Sequence, residues 1–174
     1  MDDPLPYVAR LLASLGTDYA VIGAHAVNCW LEPRLTADID VTVAADRAQL
    51  ESLRARLVGE GFRVAREHGA EAPSGPDFIR FISADAEVLI EVQAAKTAFQ
   101  REVIRRAVTS PAGLRVATFE DLIVLKLIAD RPKDQADLDG LLGLGALDWA
   151  YVEKWATTWG VLDRLHRKRR GGGP

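Results

Sequence analysis

Two aspartates one residue apart, Asp38 and Asp40, carry the strongest chemical signal in this sequence. Side chains alternate along an extended strand, so Asp38-Ile39-Asp40 puts both carboxylates on one face. Carboxylates held side by side repel each other. A hard divalent cation such as Mg²⁺, which takes oxygen ligands, relieves that repulsion. About fifteen residues earlier an apolar run, Tyr19 to Ile22, ends at Gly23, and a helix-like run from Ala24 to Leu31 follows. A strand, a tight glycine turn and a helix start place backbone N–H groups where a phosphate can sit. Gly23, Ala24 and His25 open that seat.

Other residues extend the set. Arg34 can clamp a phosphate with its planar fork, and Thr36 either fixes the turn or touches a phosphate. His25 reads as a local hydrogen-bonding residue or as a general base. Glu91 is the one acid in the apolar run Val88 to Val92. A carboxylate in such a strand needs a partner or a metal, so it is either a third ligand or the partner of a cation such as Arg80. Lys126 is the one polar residue in Leu122 to Ala129. It either meets an anion or snorkels with its stem on apolar surface. Asp134 and Asp137 share a helix face, and Asp134 reads as a helix cap or as the group that orients Lys126 or Arg131. His68 and His166 show no zinc-ligand spacing with the acids. Cys29 reads as a small core residue.

Positioning these groups takes strands first and helices last. The spacing predicts helices over Pro4 to Leu15, Ala24 to Leu31, Asp46 to Glu60 and Phe99 to Ala107. It predicts strands at Tyr19 to Ile22, Asp38 to Val43, Phe62 to Ala65, Phe78 to Ile82, Glu87 to Gln93 and Leu114 to Val116. Glu67 to Asp77, rich in Gly and Pro, reads as a mobile loop on the acceptor side. Thr118 launches a helix to about Ala129, with Asp121 at the third position of a variant capping box. Further helices follow over Lys133 to Leu142 and Asp148 to Trp159. Trp155 and Trp159 share a face of the last one, for core packing or base stacking. The order suits an α+β fold, a mixed sheet flanked by helices, with a C-terminal helical appendage.

The chain has 174 residues, 48% of them hydrophobic, which suits one domain with a small appendage. A single cysteine allows no internal disulfide and fits a reducing compartment. No apolar run approaches membrane-spanning length, and the acidic start lacks the basic region of a signal peptide. A cytoplasmic protein with no membrane partner is expected. Net charge is −3, yet Arg164, Arg167, Lys168, Arg169 and Arg170 gather at the C-terminus. That run is a frayed solvated tail or a nucleic-acid contact.

The string Gly23-Ala24-His25-Ala26, followed by Arg34-x-Thr36-x-Asp38-Ile39-Asp40, resembles the nucleotidyltransferase superfamily with the polymerase-β-like fold. It is most similar to small bacterial AbiEii-like nucleotidyltransferases, which usually have Gly-Gly or Gly-Ser where this chain has Gly23-Ala24. The resemblance implies a nucleotidyltransferase core over 1–117, a helical appendage packed on it over 118–163 and a basic flexible tail over 164–174. It implies Mg²⁺ or Mn²⁺ held by Asp38, Asp40 and Glu91, with the NTP phosphates at Gly23, Ala24, His25, Arg34, Thr36 and Asp134. Family members carry a third carboxylate, usually Asp, near Glu91. They also carry a lysine on a helix after the sheet, matched by Lys126, and an Arg-Asp signature, matched by Arg131 and Asp134. Catalysis would fall to Asp38, Asp40, Glu91 and Lys126. The implied reaction moves a nucleoside monophosphate to a hydroxyl of RNA, protein or a small molecule. Some relatives are toxins with an antitoxin partner. The alternative is a binding module that keeps the fold without catalysis.

Overall fold

The computed structural model describes residues 5–171. In chain order the elements are α1 (Leu5–Ser14), β1 (Tyr19–Ile22), α2 (Gly23–Val27), β2 (Asp38–Val43), α3 (Arg47–Gly59), β3 (Arg63–His68), β4 (Phe78–Ile82), β5 (Leu89–Ala94), α4 (Ala98–Arg106), β6 (Val108–Thr109), β7 (Arg115–Val116), α5 (Phe119–Ala129), α6 (Pro132–Leu142), α7 (Trp149–Thr158) and α8 (Leu162–Gly171). They form two compact units. One holds the chain up to Ala26 and Arg34–Ala117; the other holds Val27–Pro33 and the chain from Thr118 onward.

The first unit is built on a seven-stranded mixed sheet in the order β3-β4-β5-β2-β1-β7-β6. Pairing is parallel between β2 and β5 and between β1 and β7, and antiparallel elsewhere. Alternation explains its two faces. Ile39, Val41, Ile79, Phe81, Ile90 and Val92 turn one way and are buried, while Asp38, Asp40, Arg80 and Glu91 turn the other way and stay half-buried. The buried face is covered by apolar helix positions such as Leu50, Leu53 and Leu57 of α3 and Phe99 and Val103 of α4. Both helices start on full capping boxes, Asp46 with Gln49 and Thr97 with Gln100, which satisfy N–H groups a helix start leaves open.

The second unit is helical. Leu122, Ile123, Leu127, Leu138, Leu141, Val152, Ala156 and Leu165 form its core. Val27–Pro33 belongs here rather than to the sheet unit. Trp30 meets Phe119 edge-on at 5.0 Å, and Gly140 leaves space for Leu31, whose Cδ1 would lie 2.6 Å from any Cβ there.

Several expectations change. The helix expected to reach Leu31 stops at Val27, and Trp30 and Leu31 fold back to the Val27 carbonyl, each at 2.9 Å. Cys29 is exposed rather than in the core. β3 runs on to His68, and the rest of the expected mobile loop is fastened: Arg47 donates to the Ala72 carbonyl at 2.8 Å and Lys96 pairs with Asp77 at 2.6 Å. Asp77 also bonds Ala94 and His68 through the backbone, at the opposite end of β2 from Asp38. The basic segment expected as a flexible tail is helical through Gly171. Arg164 donates to the carbonyls of Leu127 and Ile128, Lys168 pairs with Asp139 and Arg169 with Glu153. Residues 1–4 and 172–174, where the first helix and the tail were expected to begin and end, lie outside the described residues.

Candidate active site

Sheet register assembles the acids of the first unit. Ile22 opposes Asp40 in the antiparallel β1–β2 pair, so the Gly23 turn leaves the sheet beside Asp40. Gly23 has φ +66°, and a Cβ on it would lie 2.8 Å from Cγ and 2.9 Å from Cβ of Asp40. Only glycine tolerates both the conformation and the contact. The turn opens a helix of five residues, so it offers backbone N–H groups next to a carboxylate rather than the dipole of a long helix. Ala24 and His25 are half-buried in that helix.

On the other flank of β2, the parallel register places Glu91 beside Asp40. Asp38 shares the face of Asp40, and its side chain has no hydrogen-bonding or ionic partner among the described residues. Glu91 is engaged: Arg80 lies opposite it in the β4–β5 pair, and Nη2 of Arg80 forms an ion pair with Oε1 of Glu91. Of the two readings of Glu91, the cation partner is the one observed. Among the described residues no group of three or more His, Cys, Asp or Glu side chains is placed to hold a metal ion. The expected trio of Asp38, Asp40 and Glu91 is therefore not closed, since Arg80 holds the third carboxylate. Asp38 and Asp40 place two half-buried carboxylates on one face, a donor set that fits Mg²⁺ or Mn²⁺. Arg34 and Thr36 lie in the irregular segment before β2, exposed and half-buried respectively.

Lys126 sits in the second unit, 5% exposed. It does not snorkel. Its Nζ lies 3.0 Å from Oδ1 of Asp134 and 2.6 Å from Oδ2 of Asp137. Asp134 also accepts from Arg131, from Nε at 2.7 Å and from the backbone N–H at 3.2 Å. Burial pushes the Asp134 carboxyl up, but the hydrogen bonds and charges of Arg131 and Lys126 prevail and hold it at about 2. The spacing of Asp134 and Asp137 already hinted at this shared partner. A second buried group has one partner that was not foreseen: Asp121, 0% exposed, accepts from the hydroxyl of Thr118, its expected capping partner, at 2.8 Å, and from the hydroxyl of Tyr151. Tyr151 lies thirty residues along the chain, beyond any local pattern.

The model of one protein family, described as nucleotidyl transferase AbiEii toxin, type IV toxin–antitoxin system, matches residues 8–156. No match was found among curated proteins. Solved structures share the fold. The antibiotic-resistance factor ANT(2'')-Ia superposes with a TM-score of 0.61 at 17% identity, over 94% of this chain and 95% of that one. An antigenic nucleotidyltransferase-like protein from Paracoccidioides brasiliensis gives 0.58 at 18% identity, over 95% and 86%. The lincosamide antibiotic adenylyltransferase LnuA gives 0.58 at 12% identity, over 83% and 98%.

Proposed function

The chain belongs to the AbiEii family of nucleotidyl transferases, and from that premise we propose that it moves a nucleoside monophosphate from an NTP to a hydroxyl acceptor with Mg²⁺ or Mn²⁺. One observation carries the reading: Asp40 stands between the Gly23 turn and Glu91, with Asp38 on the same face. The backbone N–H groups after Gly23 receive the NTP phosphates, and Arg34 and Thr36 close over them. Asp38 and Asp40 would hold the metal, which when bound would supply positive charge near the phosphates. Glu91, released from Arg80, takes the proton of the attacking hydroxyl as its oxygen bonds to the α-phosphorus and pyrophosphate departs. Lys126 and Asp134 act as positioning residues: the lysine fixes Asp137 and Asp134, and Asp134 fixes Arg131.

The acceptor class is RNA, protein or a small molecule. The family's description supports a toxin role, with an antitoxin as partner. No helix among the described residues is long and apolar enough to cross a membrane, and a cytoplasmic site of action suits the use of NTPs. The Arg80–Glu91 ion pair favours one rival, a partner-binding module in which the third acid is permanently neutralised.

Incubation with each labelled NTP, Mg²⁺ or Mn²⁺ and cell extract tests the reading. Label transfer that disappears in Asp38→Ala and Asp40→Ala supports it. No transfer from any NTP with either metal, together with a metal-induced melting shift unchanged in Asp40→Asn, would leave the binding module standing.

A further inference from the structure

One row of residues crosses the sheet of the first unit. Register runs from Arg66 on β3 to Arg80 on β4, Glu91 on β5, Asp40 on β2 and Ile22 on β1. Strands lie about 4.8 Å apart, so two cations stand side by side, followed by two anions. Like charges directly opposite each other weaken a sheet. The acid pair has a reason in metal binding; the arginine pair has none in the fold.

The pairing of Arg66 with Arg80 is also made by an irregularity. The β3–β4 register shifts between Val64 and Arg66. Continued from the Val64–Phe81 pair without that bulge, it would set Ala65 against Arg80 and turn Arg66 toward the other face. There its neighbour Glu67 pairs with Arg54 of α3. A bulge breaks the ladder locally and re-aims a side chain. Arg66 is exposed, and its side chain makes no hydrogen bond or ion pair with another described residue. Arg80 is part-satisfied: Nη2 is on Glu91, its guanidinium lies 5.8 Å from the Phe78 ring centroid, and Nε is buried without a hydrogen-bond partner.

We propose that Arg66 and Arg80 form a seat for a phosphate group, and that its arrival draws Arg80 off Glu91 and frees that carboxylate beside Asp40. Two planar guanidinium forks suit phosphate oxygens. The seat lies on the opposite flank of the acids from the Gly23 turn, with β5 and β2 between. The phosphate comes from the NTP or from a phosphate-bearing acceptor; the recognising chemistry is the same. The seat rests on the nucleotidyl-transfer reading, but binding is measured without metal or turnover, so its failure removes only the phosphate-driven release of Glu91 and leaves the roles of Gly23, Asp38 and Asp40 to the label-transfer test.

The experiment is calorimetry in EDTA with three probes: pyrophosphate, ATP and a single-stranded tetranucleotide. Arg66→Ala, on an exposed outer-strand position, should weaken at least one of them about tenfold, the loss of a charge-assisted contact. Arg66→Lys should recover part of it. Loss confined to ATP assigns the seat to the nucleotide, and loss confined to the tetranucleotide assigns it to the acceptor. Glu91→Gln removes the rival anion for Arg80, so it should tighten the same probe several-fold, a gain that misfolding cannot produce. Equal binding of all three probes by wild type and Arg66→Ala would mean that Arg66 only protects the sheet edge. Unchanged or weaker binding in Glu91→Gln would mean that Arg80 does not exchange anions. Either result overturns the proposal.

Discussion

The Asp40 carboxylate fills the space where a side chain on Gly23 would stand. The Gly23 turn and the Asp40 carboxylate are thus one packed object, and neither can be altered alone. Gly23→Ala should force a left-handed conformation on alanine, costing about 1 kcal/mol or more, and push Asp40 out of line. The expected outcome is a lower melting temperature together with loss of the metal-induced melting shift. A variant that melts lower but keeps the full metal shift would separate the two.

Asp40 has Asp38 on its own strand and Glu91 on the next. Asp40→Asn should remove most of the metal-induced stabilisation while leaving the metal-free protein as stable as wild type or slightly more so, since repulsion among the three acids falls. Thermal melts with and without Mg²⁺ or Mn²⁺ read both effects. An equal metal shift in wild type and variant would sink the metal assignment to this pair.

Lys126→Met suits the volume of the site but leaves Asp137, and in part Asp134, buried without their cation. Removing one partner of a buried ion pair costs about 3 kcal/mol, so chemical denaturation should show a large loss. Lys126→Met combined with Asp137→Asn should recover part of it. A fully stable single variant would show that the cluster contributes little.

The Asp134 carboxyl is held at about 2 against an ordinary value of 3.8. A lowered carboxyl stabilises the fold above its unfolded value and loses that contribution as pH falls toward the folded one. The stability present above pH 4 should decline by about 2 kcal/mol as pH drops to 2. Unfolding free energies of wild type and Asp134→Asn, compared across that window, isolate the term. Parallel curves would remove Asp134 as its source.

The sheet was readable where strands are short and either continuously apolar or alternating: Tyr19–Ile22, Asp38–Val43 and Phe78–Ile82 match the expected spans. The acid pair was readable for the same reason, since alternation alone puts Asp38 and Asp40 together. What escaped depends on distant partners. α8 has few apolar residues, and Leu165, fully buried, together with ion pairs to α6 and α7 residues, holds a basic segment that looks solvated in isolation. The Gly- and Pro-rich loop has no regular pattern of its own, and its fasteners, Arg47 and Lys96, come from elsewhere in the chain. The β3 bulge leaves no local mark, because Ala65 and Arg66 fit an outer strand in either register. Glu91 was left with two readings because the strand pattern shows its isolation but not its partner.

Arg164 reaches back 37 residues to the Leu127 carbonyl at the end of α5. Those last carbonyls have no acceptor role inside their own helix, so α5 is finished by a side chain of α8. A chain cut before Arg164 would keep the Asp38–Asp40 sheet yet lack this closure. Cleavage ahead of Arg164 would turn those carbonyls to water and loosen the helix that carries Lys126, with the Asp38–Asp40 strand untouched.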